Sequence, residues 1–304
     1  MRKIGNFFLA FVPILLATAI QYLAVFFAMG ISTLIEGTWY TFSGTADFYT
    51  IFDDLGYLWM TSRFNTYIMI IYAAMTIIVF GLWYYMRYEG NYLPNLRHTF
   101  HPLTILGVVM LTPGMQYLST YIVSFTASLF PKWLEQYEKL MEGAGFDEAL
   151  TLGMFLYSVI FAPFSEELIF RGVTMHQARK ALPFWAANLM QAALFGIFHM
   201  NMIQGIYAFF LGLILGYICE RGGSIYHAIL LHVLFNFWAA VISQFITFGD
   251  SAFAFLFWLF FGVAMTICGI TVFTLGAKKC SLAATSGISP DNTDNDCTPN
   301  ATNA

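Results

Sequence analysis

Three ionisable side chains lie within six residues of an otherwise apolar stretch, namely Glu166, Glu167 and Arg171. Near the middle of a bilayer, an ionisable side chain costs about 2.5–3.5 kcal/mol on insertion scales. Glu167 and Arg171 stand at i and i+4 with the acid first, which is the favourable order for an ion pair on a helix. Neighbouring helical residues point about 100° apart, so this pairing would leave Glu166 free to face a cavity.

Two later apolar stretches carry further polar groups at similar depth. His199 comes four residues after Phe195, and Asn236 comes four residues after His232, so the members of each pair share a helix face. At about 1.5 Å of rise per residue, these side chains and Glu166 reach overlapping depths in a membrane. The sequence therefore predicts that Glu166, His199, His232 and Asn236 line one water-filled cavity.

The four residue types suit the hydrolysis of an amide. A carboxylate held away from bulk water can act as a general base near neutral pH, which is the role predicted for Glu166. His199 can orient the attacking water and relay a proton. His232 and Asn236 can donate hydrogen bonds to a developing oxyanion.

A bound zinc ion is the chemical alternative. Two histidines and a glutamate form a sufficient set of zinc ligands. However, no HExxH motif is present, and the first two candidate ligand helices supply one group each. We therefore predict that the site uses no metal and no other cofactor.

The elements that must position these residues are membrane-spanning helices. Of the 304 residues, 59% are hydrophobic and 10% are charged, whereas soluble domains average about 25% charged residues. A helix of about 20 apolar residues crosses a bilayer. Such stretches occur at 8–29, 67–86, 103–127, 150–170, 184–200, 203–219, 224–246 and 252–275. The sequence thus predicts an all-α polytopic membrane protein with about eight transmembrane helices and a polar cavity formed by the fourth, fifth and seventh.

Composition divides the chain into four parts. Residues 1–149 are predicted to form N-terminal scaffold helices and loops, and 150–246 the catalytic membrane core. A C-terminal transmembrane helix is predicted for 247–279. The polar segment 280–304 is predicted to be a disordered cytoplasmic tail.

Two further segments carry structural signals. Residues 131–148 mix charged and aromatic side chains as a short interfacial helix would, and the charges are interpreted as a solvated face. The sixth span places Gly205, Gly212 and Gly216 on one face, which favours close packing against another helix.

Lysine and arginine predict how the chain lies across the membrane. One set of loops holds ten of them: Arg2, Lys3, Arg87, Arg97, Arg171, Arg179, Lys180, Arg221, Lys278 and Lys279. The other set holds Arg63, Lys132 and Lys139. Because cytoplasmic loops are enriched in basic residues, this bias predicts an integral membrane protein with both termini in the cytoplasm. The predicted location is a bacterial cell membrane.

The polar motifs also carry a resemblance to a known family. In chain order they are Glu166-Glu167-x-x-x-Arg171, Phe195-x-x-x-His199 and His232-x-x-x-Asn236. They resemble the motifs of the CPBP membrane proteases, which include the type II CAAX prenyl endopeptidases and the bacterial Abi proteins. The resemblance covers 150–246 and implies an intramembrane peptidase of the glutamate type.

The resemblance implies a role for each matching residue. Glu166 would activate water with help from His199, while His232 and Asn236 would stabilise the oxyanion. We expect the remaining motif residues to support the site; these are Glu167, Arg171 and Phe195. The resemblance further implies an eight-helix core whose cavity opens to the cytosol.

The predicted function is a metal-independent intramembrane endopeptidase that cleaves a membrane-associated peptide or protein. CAAX-type processing, bacteriocin or peptide processing and self-immunity all fit this description. The predicted partners are that substrate and the lipid bilayer, with no nucleic acid. The alternative is a non-enzyme, either a proton-coupled transporter that uses Glu166 and the histidines or an inactive membrane scaffold. A transporter would favour internal repeats and helices broken at mid-depth, which the sequence does not show.

Overall fold

The computed structural model describes residues 2–44, 47–89, 100–143, 151–246 and 251–286, which fold almost entirely as helices and contain no strand. We number the helices in chain order. They are α1 (Arg2–Leu9), α2 (Val12–Ser43), α3 (Phe48–Trp59), α4 (Ser62–Tyr84), α5 (Pro102–Leu129), α6 (Pro131–Gly143), α7 (Leu152–Arg179), α8 (Phe184–Phe198), α9 (Met202–Gly222), α10 (Ile225–Ala240) and α11 (Ala252–Ser286). A π-helical turn at Tyr85–Glu89 follows α4, and a 3₁₀ turn at Ile242–Phe245 follows α10.

Six helical segments are long and apolar enough to cross a membrane. They are Lys3–Ser43, Ser62–Arg87, Pro102–Leu129, Leu152–Arg179, Met202–Gly222 and Ala252–Lys279. The two shorter apolar helices, α8 and α10, account for the remaining predicted spans. The predicted all-α polytopic membrane fold is therefore confirmed, and the protein is an integral membrane protein.

The short length of α8 has a direct consequence for the site. Its 15 residues extend about 23 Å, whereas the hydrocarbon core of a bilayer is about 30 Å thick. Pro183 stands just before its first residue, and His199 follows its last. His199 therefore lies at the end of a helix and still within the depth of the bilayer.

A tight turn joins α9 to α10. Gly223 has φ of 64°, a left-handed conformation that glycine adopts without steric cost and that commonly ends helices. The hydroxyl of Ser224 then accepts a hydrogen bond from the Tyr226 N–H and begins α10. The end of α9 and the start of α10 are thus fixed at the same end of the bundle.

Helices α8 and α9 pack with their backbones in contact. A Cβ atom placed on Gly196 would lie 2.6 Å from the Gly205 carbonyl oxygen, so no larger side chain fits between them. Gly212 and Gly216 also face α8, where an added Cβ would meet side-chain or backbone atoms. The predicted close packing of the sixth span is confirmed, and it holds His199 next to the first turns of α9.

Helix α7 contains two π-helical segments, Tyr157–Phe161 and Leu168–Met175, on either side of the two glutamates. The first has an evident cause. The Ala162 N–H bonds the carbonyl oxygen of Tyr157, five residues back, and Pro163 has no N–H to donate. Such segments are frequent at functional sites because they re-aim the side chains that follow.

One predicted boundary differs from the structure. Helix α11 continues through Ser286, so the polar segment 280–304 does not begin with a break in the helix. Residues 287–304 lie outside the described residues, and their predicted disorder stays a prediction. The predicted interfacial helix within 131–148 is α6, none of whose residues is buried.

Candidate active site

A cavity of about 590 Å³ lies inside the bundle and is lined by five residues of the three motifs. Glu166, His199, His232 and Asn236 all line it, as does Phe195. Helices α7, α8 and α10 correspond to the fourth, fifth and seventh predicted spans, so the three expected walls are present. Helices α2, α4, α6 and α9 complete the lining.

Glu166 and His232 approach each other across the cavity. The distance from Glu166 Oε2 to His232 Nε2 is 3.7 Å, and the two side chains are 15% and 4% exposed. This distance is too long for a direct hydrogen bond. Because both side chains line the cavity, one bound water can contact both of them.

Glu167 lies outside the cavity lining and forms the centre of a buried charge network. Its Oε1 atom accepts from Arg171 Nη1 and from His232 Nδ1, each at 2.8 Å. The predicted Glu167–Arg171 ion pair is thus present, and both side chains are fully buried. Arg171 also donates from Nη2 to the Gly212 carbonyl oxygen at 3.3 Å, and its guanidinium lies 4.6 Å from the centroid of the Phe195 ring. These contacts offset the cost of a buried cation.

The hydrogen bonds of the two histidines assign their tautomers. His199 Nδ1 is 2.8 Å from the Phe195 carbonyl oxygen, which can only accept, so Nδ1 carries the proton. His232 Nδ1 donates in the same way to the Glu167 carboxylate. Each imidazole, when neutral, therefore has its lone pair on Nε2. His232 can donate from Nε2 only as an imidazolium, which would lie beside two carboxylates, that of Glu167 at 2.8 Å and that of Glu166 at 3.7 Å.

Asn236 is held by a carbonyl group that the π segment of α7 leaves available. Its Nδ2 donates to the Ser158 carbonyl oxygen at 2.8 Å. In a regular α-helix that oxygen would accept from Ala162, but the Ala162 N–H bonds Tyr157 instead. One N–H of the Asn236 amide thus fixes the side chain to α7, and the other remains for a group in the cavity.

The segment that carries this network matches a known family. Residues 148–238 match the family model described as Type II CAAX prenyl endopeptidase Rce1-like. After the family model that they match, we call residues 148–238 the Rce1-like domain. The predicted resemblance to the CPBP proteases is confirmed for this segment, which contains all seven predicted site residues. The family implies a peptidase with a membrane-associated peptide or protein substrate. Comparisons with curated proteins and with solved structures gave no match.

Sequence reasoning missed two buried amides in the Rce1-like domain. Gln191 Nε2 donates to the Gly212 carbonyl oxygen at 2.9 Å and to Asn188 Oδ1 at 2.7 Å. Asn188 Nδ2 donates to the Leu213 carbonyl oxygen at 3.0 Å. Because Arg171 bonds the same Gly212 oxygen, these contacts fix α7, α8 and α9 to one another. The spacing of Gln191 four residues before Phe195 was the available signal, since it places the amide on the site face of α8.

Helix α6 lies at the mouth of the cavity. Lys139, Leu140 and Met141 line it, and the helix packs against α9, where Tyr137 lies near Tyr207. Lys139 forms an exposed ion pair with Glu135 at 2.7 Å, and its ammonium lowers the pKa of Glu135. The charged side chains of α6 thus form the predicted solvated face. The same helix also contributes to the cavity, which its charge pattern did not reveal.

The cavity occupies one half of the bundle. Lining residues come from the first halves of α4 and α9, from α7 up to Glu166, from the last turns of α8 and from His232 onward in α10, together with Gln21 of α2. Arg179 and Arg221 lie at the opposite ends of their helices. The cavity therefore opens at the end of the bundle opposite to Arg179 and Arg221. The resemblance implies that the cavity opens to the cytosol, whereas the distribution of Lys and Arg predicts that the end with Arg179 and Arg221 is cytoplasmic. These two expectations contradict each other.

Arg171 is predicted from the sequence to be a loop cation, and this prediction is wrong, because its side chain is fully buried inside the Rce1-like domain. Its charge therefore belongs to the site and carries no information on orientation.

Among the residues described, no group of three or more His, Cys, Asp and Glu side chains could hold a metal ion. The prediction that the reaction needs no metal stays a prediction.

Proposed function

We propose that the protein is a metal-independent intramembrane endopeptidase that cleaves a membrane-associated peptide or protein through a water activated by Glu166. The observation that carries the proposal is the convergence of Glu166, His199, His232 and Asn236 on one cavity of the Rce1-like domain. CAAX-type, bacteriocin and other peptide processing are the candidate substrate classes.

Glu166 begins the reaction as a general base. A water between Glu166 and His199 loses a proton to the Glu166 carboxylate, and its oxygen forms a bond to the carbonyl carbon of the scissile amide. The Nε2 lone pair of His199 accepts a hydrogen bond from the same water. That contact orients the water, since Nδ1 is held by the Phe195 carbonyl group.

The negative charge then develops on the former carbonyl oxygen. The second N–H of Asn236 and the Nε2–H of protonated His232 are the donors that stabilise it. Glu166 next gives its proton to the amide nitrogen, the carbon–nitrogen bond breaks, and a carboxylic acid and an amine result. Glu166 is left as the carboxylate, ready for the next water.

Glu167, Arg171 and Phe195 act as positioning residues. Glu167 holds His232 in the orientation that turns Nε2 to the cavity. Arg171 holds Glu167 in place, and the Phe195 ring lies beside both Arg171 and His199. Their contribution is geometry fixed in advance of the reaction.

The proposal is tested with purified protein in detergent and a panel of membrane-anchored peptides. The panel contains a prenylated CAAX peptide and unprenylated leader peptides of the bacteriocin type, and mass spectrometry identifies the products. We expect one substrate class to be cleaved at a single bond. If no peptide is cleaved, and proteoliposomes show proton uptake that Glu166→Gln abolishes, the transporter alternative replaces the peptidase.

Removal of metal ions is expected to leave the cleavage rate unchanged, because the proposed base and oxyanion donors are all side chains. The rate is measured before and after dialysis against a chelator, and the metal content of the purified protein is determined in parallel. Loss of cleavage that added zinc restores would make the metal alternative correct.

Asn236→Asp is expected to lower kcat by about 10²–10³-fold with little change in KM, because it removes one oxyanion donor. The matched control is Asn65→Asp. Asn65 also lines the cavity and also donates to a backbone carbonyl, that of Gly143, at 3.2 Å. Equal losses of kcat in the two variants would show that Asn236 acts only through structure.

A further inference from the structure

We infer that the cavity opens on the extracytoplasmic side of the membrane and admits a peptide segment that is presented there. The choice of a peptide rests on the proposed function, whereas the side of the opening rests on charge and geometry alone. The inference narrows the substrate class, since a prenylated cytoplasmic C-terminus would lie at the wrong face.

The two ends of the bundle can be assigned from contacts between helices. Tyr84 near the end of α4 lies against His176 near the end of α7, with ring centroids 5.7 Å apart. Gln177 of α7 donates to Asn6 of α1 at 3.0 Å, which places α1 at the same end. The end of α9 and the start of α10 meet at Gly223. We call this end the basic end and the opposite one the cavity end.

Helix α11 also finishes at the basic end. The Phe273 ring contacts His227 in the first turn of α10, with ring centroids 5.2 Å apart. Thr274 and Tyr217 are hydrogen-bonded at 3.1 Å near the end of α9. Lys278 and Lys279 follow within two turns, so they lie at this end too.

Basic residues divide unequally between the ends. Among the described residues, eight lie at the basic end: Arg2, Lys3, Arg87, Arg179, Lys180, Arg221, Lys278 and Lys279. Three lie at the cavity end: Arg63, Lys132 and Lys139. The excess of Lys and Arg at one end therefore remains when the buried Arg171 is left out. Because Lys and Arg are retained on the cytoplasmic side, the basic end faces the cytoplasm.

The cavity reaches only the cavity end. Its lining includes Asn65 near the start of α4, Lys139 of α6 and Gln204 near the start of α9. No lining residue follows Glu166 in α7 or Leu211 in α9. The layer beneath the site is packed shut, since Phe170 and Val173 are fully buried there.

The mouth has the chemistry of an interfacial peptide site. Leu140 and Met141 supply apolar surface beside Lys139, and α6 has a charged outer face. Such a helix lies along a membrane surface with its apolar side inward. A peptide segment held at the outer surface of the bilayer can pass from there to Glu166 without crossing the membrane.

Cysteine labelling in intact bacterial cells tests the side directly. The background replaces the native thiols with serine; they are Cys219, Cys268, Cys280 and Cys297. Single cysteines are then introduced as Lys132→Cys at the cavity end, Lys180→Cys at the basic end and Met69→Cys in the cavity wall. We expect a membrane-impermeant maleimide to label the first and third in intact cells. Lys180→Cys is expected to react only after permeabilisation.

Labelling of Lys180→Cys in intact cells, with Lys132→Cys protected, would overturn the inference and leave the peptidase proposal standing. The result does not depend on catalysis, and the Glu166→Gln variant is expected to label identically. Cleavage in detergent has no sidedness and tests the peptidase separately. If no peptide is cleaved but the labelling is as expected, the peptidase proposal is wrong and the inferred orientation stands.

Discussion

Glu166→Gln is expected to lower kcat for peptide cleavage by about 10²–10⁴-fold, which is the usual contribution of a general base. Glutamine has nearly the same size and still fills the space at the cavity wall, but it cannot take a proton from water. KM is expected to change little, since substrate binding needs no proton transfer at this position. The measurement is steady-state kinetics of the purified variant in detergent with the cleaved member of the peptide panel.

The matched control is Glu138→Gln, which removes a carboxylate from the exposed face of α6. We expect its kcat to equal that of the unmodified protein. The melting temperatures of both variants are recorded to show that both are folded. A Glu166→Gln protein that keeps its kcat would remove Glu166 as the base and would leave the mechanism without a proton acceptor.

The sequence predicted the parts of the site that depend on position within single helices. Short turns near Pro183 and Gly223 mark where the helices begin, and the rise per residue then gives the depth of each polar group. Local spacing likewise predicted the Glu167–Arg171 pair. Each of these predictions needed only one helix and the turn beside it.

Contacts between distant parts of the chain could not be predicted from the sequence. His232 and Glu167 are 65 residues apart, and no local pattern states that they share a hydrogen bond. The bond between Asn236 and Ser158 required the π segment at Tyr157–Phe161, which Pro163 helps to create. The part played by α6 in the cavity depends on a tertiary contact, that between Tyr137 and Tyr207.

The side of the opening illustrates a second limit of motif reasoning. The motifs specify which residues meet in the Rce1-like domain, and they carry no information on which face of the membrane the cavity reaches. Lys and Arg at the helix ends carry that information separately. Only the structure relates the motifs to the basic residues, because it shows that the cavity and most basic residues lie at opposite ends of the bundle.

Glu167→Gln is expected to reduce the free energy of unfolding by about 3–5 kcal/mol, because it leaves the Arg171 charge buried without its counter-charge. The Arg171 side chain is fully buried and cannot reach water. The measurement is unfolding in detergent micelles by denaturant. The exposed pair Glu135–Lys139 has the same i, i+4 spacing at 2.7 Å and supplies the control, since Glu135→Gln is expected to leave stability unchanged.

A second substitution separates stability from positioning. Adding Arg171→Met to Glu167→Gln removes the unpaired charge and is expected to restore most of the lost stability. The Gly212 carbonyl oxygen keeps a donor, Gln191, in this double variant. Cleavage is expected to stay low all the same, because His232 has lost the carboxylate that orients it. A double variant that regains both stability and full kcat would show that Glu167 serves the fold alone, and His232 would then need no partner to act on the oxyanion.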